Sequence, residues 1–272
     1  MLSKSFVKTM AIAIVTAVAF PLQAIADYQD QDYQPNPTFK LGAEVAGYRY
    51  EEPGLMKATG PLIGINGEYF YDFNNNYFLG ADARMLAGVE NYDGHLYNIQ
   101  TGARTPYSTG FDTSNHIVEA RITPGYHYQQ FDFYTGLGYR LKSDSPMYAD
   151  SYSYKRQQQY LYIPLGFKIP TTLFGCEATP YLEYDLFIAG RQVSGPTRNL
   201  GQSVFTQDSG FGLKAGIAFT VDDDFEITPY VNYWNIDDST LSLTPYRLGG
   251  YKVMIEPENN TWEVGLKVTY RF

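Results

Sequence analysis

The sequence predicts an all-β fold, a transmembrane antiparallel up-and-down β-barrel of about ten strands, and three observations lead to it. The first is composition: the 272 residues include 26 Tyr, 17 Phe and 25 Gly, and 18% are charged. The second is an alternation of apolar and polar residues with a period of two, the period of a β-strand. The third is a regular exchange of short and long connections between the alternating segments.

The first 26 residues are expected to be a cleaved signal peptide. Lys4 and Lys8 precede an apolar run at 10–20, and Ala24-Ile25-Ala26 has the small-x-small pattern of a cleavage site. The run is shorter than the ~20 residues that a membrane-spanning helix requires. We therefore expect three parts, namely a signal peptide at 1–26, a periplasmic N-terminal segment at 27–38 and a β-barrel at 39–272.

The last segment has the clearest alternation. From Trp262 to Phe272 every second residue is apolar or aromatic, and the residues between are polar or Gly. Such a segment is long enough for a tilted strand to cross a bilayer, which takes about 9–11 residues. The same pattern predicts strands at 39–50, 61–72, 77–89, 115–128, 132–142, 158–170, 179–190, 209–221, 225–236 and 262–272.

The connections between these strands are predicted to alternate in length. Those after even-numbered strands are short, and those after odd-numbered strands are longer, above all 90–114, 191–208 and 237–261. Outer-membrane barrels combine short periplasmic turns, long outer loops and an even number of strands. This arrangement predicts that both termini lie in the periplasm.

The end of the chain resembles the C-terminal signature of Gram-negative outer-membrane barrels. These barrels end in Phe with apolar or aromatic residues at every second position, and Leu266, Val268, Tyr270 and Phe272 match. The resemblance implies that these residues are an assembly signal for the outer-membrane assembly machinery. The strand plan is also similar to that of small barrels of the opacity and adhesin-like porin superfamily, without matching a single member. It implies a location in the outer membrane of a Gram-negative bacterium, in contact with outer-membrane lipids and lipopolysaccharide.

The polar parity of the strands predicts the residues inside the barrel. An Arg or Lys that faced acyl chains at mid-depth would cost roughly 2–4 kcal/mol, whereas inward charges can pair. The inward set has seven acids and seven bases, so we expect a salt-bridged, mostly occluded lumen, with a thin path for water or a small solute as the alternative. Its members are Glu44, Asn66, Glu68, Asp82, Arg84, Glu119, Arg121, His127, Arg140, Lys168, Glu183, Asp185, Lys214, Glu263, Lys267 and Arg271.

The sequence offers few catalytic or metal-binding motifs. It has no His-x-Ser motif, which barrel lipid hydrolases use, and the Asp-x-His arrangement of barrel proteases occurs at Asp93-Gly94-His95, in the predicted long connection at 90–114. The local candidate for a Ser–His–acid triad is Ser114 with His116 and Glu119, and Asp222-Asp223-Asp224 is assigned to a solvated turn. We predict no catalytic residue, no metal and no cofactor. The lone Cys176 is expected to pack as a small apolar residue.

The acidic balance, with a formal net charge of -9, argues against nucleic acid as a partner. The predicted function is that of an integral outer-membrane β-barrel protein with a structural or surface-interaction role. Its long extracellular loops would contact an extracellular ligand or a host surface. The alternative is a narrow channel for small solutes, and the third reading is a surface hydrolase.

Overall fold

The structure is a computed structural model, and it describes residues 37–73, 76–97, 101, 103–108, 113–147, 154–222 and 224–272. The predicted signal peptide and nearly all of the predicted segment at 27–38 lie outside these residues. No helix among the described residues is long and apolar enough to cross a membrane. The described strands are β1 (Thr38–Glu52), β2 (Met56–Asp72), β3 (Tyr77–Tyr97), β4 (Arg104–Ser108), β5 (Thr113–Tyr128), β6 (Phe131–Thr135), β7 (Leu137–Pro146), β8 (Arg156–Lys168), β9 (Thr171–Leu173), β10 (Cys176–Ser194), β11 (Ser203–Gln207), β12 (Gly210–Thr220), β13 (Phe225–Ile236), β14 (Ser242–Pro245), β15 (Tyr251–Met254) and β16 (Asn259–Arg271).

The described strands close into an antiparallel barrel with ten wall positions. The order around the barrel is β1, β2, β3, β5, β7, β8, β10, β12, β13 and β16, and β16 pairs back with β1. The strands β6 and β7 share one position, because both pair with β5 and with β8 on either side of a break at Gly136. The predicted all-β barrel is therefore confirmed.

The barrel has two different ends. The terminal end carries Phe39 and Phe272, whose backbones are joined by a hydrogen bond of 2.9 Å, together with the turn at 129–130. The loop end carries the opposite strand ends, among them those of β3 at Tyr97, β7 at Pro146, β10 at Ser194 and β13 at Ile236.

The connection between β1 and β2 differs from the prediction. A longer segment is expected there, but β1 continues to Glu52 and β2 begins at Met56. The turn between them is tight, because the amide of Leu55 donates to the carbonyl of Glu52 over 2.9 Å and Gly54 takes a φ of 72°. Pro followed by Gly suits such a turn, because Pro fixes its first central residue and Gly accepts a positive φ at the second.

The long connections predicted at 90–114, 191–208 and 237–261 also contain strands. The strand β3 continues to Tyr97 and pairs with β4, β11 pairs with the end of β10, and β14 and β15 form a hairpin. Beyond the bilayer a strand no longer needs an apolar outward face, so the alternation that marks the membrane-spanning parts is lost there.

The outward face of the wall is apolar, as a lipid-facing surface requires. Ile63, Ile65 and Val264 are 66%, 61% and 62% exposed. At the terminal end, the ring of Tyr270 lies 5.1 Å from that of Phe225 and 4.9 Å from that of Phe272. These rings form part of an aromatic girdle of the kind found at membrane interfaces.

Inward tyrosine rings cover glycines on neighbouring strands. A Cβ atom added to Gly138 would lie 2.2 Å from the ring of Tyr162, and one added to Gly166 would lie 2.2 Å from the ring of Tyr134. The lack of a side chain at these glycines therefore gives each ring its position in the lumen. Large residues facing small ones in this way fill a narrow barrel interior.

We predict that Gly138→Ala lowers the free energy of unfolding by about 1–3 kcal/mol, because the new methyl group displaces the Tyr162 ring. Urea unfolding of the refolded protein in lipid, followed by tryptophan fluorescence, measures this change. Gly47→Ala is the matched control, because the nearest atom to its new Cβ would be the Val264 carbonyl oxygen at 3.9 Å. Equal midpoints for the two variants would contradict the prediction.

Candidate functional site

A cluster of paired charges crosses the lumen. Arg84 on β3 contacts carboxylates of three other strands, at 2.9 Å from Glu44, 2.7 Å from Glu119 and 2.8 Å from Glu263. All four side chains are buried. We call the whole group the central cluster, and its members are Glu44, Asp82, Arg84, Glu119, Arg121, Arg140, Glu183, Asp185, Lys214 and Glu263.

One ion pair of the central cluster joins opposite walls. Arg140 on β7 donates to Glu263 on β16 over 2.5 Å. These two strands lie five positions apart in a barrel with ten positions, which is the largest separation available. Side chains from opposite walls therefore meet across the lumen at this level.

Glu119 and Lys214 connect the remaining parts of the central cluster. Glu119 accepts from Arg84 and from Lys214, each over 2.7 Å, and lies 3.3 Å from Arg140. Lys214 also lies 3.1 Å from both Glu183 and Asp185. Buried charges are tolerated when they have opposite partners in good geometry, and Glu119 and Lys214 have three each.

Tyrosine hydroxyls supply further donors to the same carboxylates. The hydroxyl of Tyr162 donates to Glu119, and that of Tyr230 donates to Glu44. The Lys214 ammonium lies 4.7 Å from the centre of the Tyr162 ring, within the range of a cation–π contact. The high tyrosine content thus serves the lumen as well as the outer surface.

A second cluster lies at the loop end of the lumen and is not among the residues predicted from the sequence. Arg156 on β8 lies 3.0 Å from Asp144 and 2.9 Å from Glu52, which stands on the opposite wall strand β1. Lys142 lies 3.0 Å from Asp144. We call this group the mouth cluster, and its members are Glu52, Glu90, Lys142, Asp144, Arg156 and Glu256.

Most of the mouth cluster is missed because the predicted strands stop short of it. The predicted strands end at 50, 89 and 142, and the sixth begins at 158, so the next inward residues are assigned to loops. Lys142 lies inside the predicted strand 132–142 and is not in the predicted interior set. A signal was available, since Tyr48, Tyr50 and Glu52 continue one parity up to the Pro53-Gly54 turn. All three side chains are buried.

Some predicted interior residues lie apart from the two clusters. The ammonium groups of Lys168 and Lys267 lie over the rings of Tyr134 and Tyr230, at 5.6 Å and 5.5 Å. Glu68 lies 4.0 Å from Lys40 near the terminal end.

Two other predicted interior positions and the lone cysteine lie away from the middle of the lumen. His127 contacts Asp132 at 2.7 Å near the terminal end, and Arg271 is exposed. Cys176 is exposed at the start of β10, so the expectation that it packs as a small apolar residue is wrong.

The residues of the C-terminal signature lie on the outward face of β16. Leu266, Val268, Tyr270 and Phe272 are 39%, 40%, 37% and 69% exposed. Their side chains therefore face the surroundings of the barrel, where another protein could contact them during assembly.

The local triad candidate does not assemble. His116 is exposed on the outward face of β5, whereas Glu119 is buried in the lumen with Arg84. Their positions have opposite parity on one strand, so the carboxylate cannot orient the imidazole. Within the described part of the chain, no group of three or more His, Cys, Asp or Glu side chains is arranged to hold a metal ion.

Glu256 is buried, and it lies near a second acid, Glu52. It lies in the connection between β15 and β16, where its amide donates to Ser239 Oγ over 2.8 Å. Burial, followed by the charge of Glu52, raises the pKa of Glu256 to about 8, although Arg156 acts in the opposite direction. The folded protein therefore favours the protonated form of Glu256.

We predict that the folded state loses stability as the pH rises from about 4.5 to about 8. The pKa of Glu256 is raised from 4.5 in water to about 8 in the folded protein, so ionisation opposes folding across this window. Urea midpoints measured from pH 5 to pH 9 test this. Glu256→Gln, which stays neutral, should flatten the decline, and an unchanged slope in this variant would count against the assignment.

We predict that Arg84→Leu destabilises the barrel by roughly 3–5 kcal/mol, because three buried carboxylates lose their shared partner. Lys214→Leu should act in the same direction. Lys57→Leu is the control, since Lys57 and Asp93 form an ion pair of 3.2 Å with both side chains about half exposed, and such pairs contribute about 0–1 kcal/mol. Heat-modifiable mobility and urea midpoints report both effects, and equal losses in the core and surface variants would refute the prediction.

Comparison with known proteins supports the architecture. No family model matches the chain, and no curated protein matches it. Among solved structures, the outer membrane protease OmpT from Escherichia coli aligns with a TM-score of 0.54 and 11% identity, over 91% of this chain and 100% of that chain.

Two further solved structures align over similar lengths. Neisserial surface protein A has a TM-score of 0.32 and 14% identity, over 86% of this chain and 97% of that chain. Ail, the attachment invasion locus protein of Yersinia pestis, has a TM-score of 0.31 and 14% identity, over 87% of this chain and 99% of that chain. The alignment with OmpT is the one of these three that supports the fold, which is that of an outer-membrane β-barrel.

Proposed function

We propose that this chain is an integral outer-membrane β-barrel protein of a Gram-negative bacterium that acts through its loop end and does not conduct solutes. Its outward face would contact outer-membrane lipids and lipopolysaccharide. Both termini would lie in the periplasm, and the outer-membrane assembly machinery would read Leu266, Val268, Tyr270 and Phe272. The proposal includes no catalytic step.

The observation that carries the proposal is the presence of ion pairs across the lumen at two levels. Arg140 meets Glu263 in the central cluster, and Arg156 meets Glu52 in the mouth cluster. Each pair joins wall strands that are five positions apart. A solute would have to separate both pairs, and each separation would leave buried charges without partners, at a cost of several kcal/mol.

The loop end supplies the structure that a surface role needs. The strand β3 pairs with β4 beyond the end of β2, and β10 pairs with β11 over residues 190–194. The hairpin of β14 and β15 stands beside β11, since Ser203 and Thr244 are joined by a hydrogen bond of 2.8 Å between their hydroxyls. These strands continue the wall as ordered sheet, so the surface that they present is already formed.

A narrow path for a small solute is the second candidate function. The side-chain amides of Asn66 and Gln207 are buried, and neither has a hydrogen-bond partner among the described residues. Buried amides need partners, and a hydrated or solute-filled space would provide them. This observation favours small polar solutes, because an amide side chain can both donate to them and accept from them.

We predict that the refolded wild-type barrel gives no discrete conductance steps in a planar bilayer. The triple variant Arg84→Ala, Glu119→Ala, Arg140→Ala removes the middle of the central cluster and should conduct, which also shows that insertion succeeds. Reproducible steps from the wild type would overturn the proposal in favour of the channel. The variant is compared only after its heat-modifiable mobility shows that it has folded.

A further inference from the structure

The hairpin of β14 and β15 exposes an apolar sheet face at the loop end. Leu243 stands opposite Val253, and Pro245 stands opposite Tyr251. These side chains share the outward face, while Thr244 between them is fully buried on the inward face. We call this surface the hairpin face, and its large members are Leu241, Leu243, Tyr251, Val253 and Ile255, which are 72%, 67%, 68%, 61% and 43% exposed.

A belt of exposed acids separates the hairpin face from the lipid-facing band. Asp237 and Asp238 lie between β13 and β14, and Glu258 lies between β15 and β16. The two connections are joined, because the amide of Glu258 donates to Asp238 Oδ1 over 2.6 Å. Exposed carboxylates are unfavourable among acyl chains, so the hairpin face lies beyond the hydrocarbon of the bilayer.

The hairpin is held in place from its inward side. The amide of Gly201 donates to the carbonyl of Pro245 over 2.8 Å, and the amide of Thr240 donates to the carbonyl of Thr206 over 2.9 Å. Leu200 and Tyr246 form an isolated β-bridge in the same region. The apolar side chains are thus fixed outward and cannot turn into the lumen.

The outer edge of β15 adds a second feature. Among the described strands, β15 pairs with β14 alone. An unpaired strand edge offers backbone donors and acceptors to an added strand. An exposed apolar patch beside such an edge is typical of a protein interaction site.

We propose that the hairpin face and the edge of β15 bind an extended segment of another protein, apolar at alternate residues and basic at its N-terminal end. This inference rests on the proposed function of the loop end. The apolar residues would cover Tyr251, Val253 and Ile255. An antiparallel addition places the N-terminus of the segment next to the barrel, because β15 runs from the hairpin turn toward β16.

Charge complementarity favours a basic N-terminal end in the bound segment. It disfavours a second copy of this chain as the partner. The acids Asp237, Asp238 and Glu258 lie where the added strand would begin. The whole chain has a formal net charge of -9, so two copies would bring like charges together. Like charges across an interface suppress an association.

Fluorescence anisotropy with labelled peptides tests the proposal on the full-length protein in lipid nanodiscs. The probe is a short acetylated peptide of alternating threonine and valine that begins with a pair of lysines. We expect it to bind at least about tenfold more tightly than the same peptide beginning with glutamates, or than one with the lysines at its C-terminal end. Equal affinities for the three peptides would overturn the proposal.

Substitutions in the hairpin face and among the acids beside it test where the peptide binds. Leu243→Ser with Val253→Ser should weaken binding at least about tenfold through lost apolar contact. Asp237→Asn with Glu258→Gln should remove the preference for lysines and leave the fold intact, so it tests the proposal even where the serine variant fails to refold. Met147→Ser is the control, since Met147 is 56% exposed between β7 and β8. Loss of binding in this control alone would refute the location.

A lipid contact is the competing explanation for the hairpin face. A fluorophore at Val253→Cys, in a Cys176→Ser background, reports it through quenching by lipids brominated on their acyl chains. A fluorophore at Ile63→Cys in the lipid-facing band should be quenched, and one at Val253→Cys should not. Equal quenching would overturn the proposal. Conductance steps with intact peptide binding would remove only the proposed function, and a silent barrel without peptide binding would remove only this inference.

Discussion

The structure depends on pairing charges inside a narrow enclosed space. A wall strand presents one face to acyl chains, so its charged residues have only the lumen to occupy. Within the lumen, Arg84, Arg140 and Lys214 converge on Glu119, and all four side chains are buried. The tyrosine rings over glycines accompany this convergence, since the remaining volume beside the charges has to be filled.

The ten wall strands could be predicted from the sequence because the bilayer itself imposes the alternation. The same parity assigns Glu44, Arg84 and Lys214 to the interior, which is where the structure has them. The partners of these residues could not be predicted, because Arg140 and Glu263 meet across the lumen between strands that share no hydrogen bonds. Such contacts depend on the barrel radius and on side-chain reach.

The strand segments beyond the bilayer could not be predicted, for a related physical reason. Arg49 and Glu51 form an outward ion pair of 2.5 Å near the end of β1, and there the outward face is no longer apolar. The strand nevertheless continues to Glu52, whose carboxylate belongs to the mouth cluster. The alternation therefore identifies the strand segments inside the bilayer but not their extensions beyond it. The Pro53-Gly54 pair still indicates the turn that follows β1.

The pairing of β1 with β16 has a consequence for biogenesis. Their register runs from Lys40 opposite Arg271 to Glu51 opposite Asn260, so the closing seam joins the two extremes of the barrel sequence. The cylinder cannot close until β16 is available to pair with β1. Before closure each of these two strands has an unpaired edge, and such edges promote self-association.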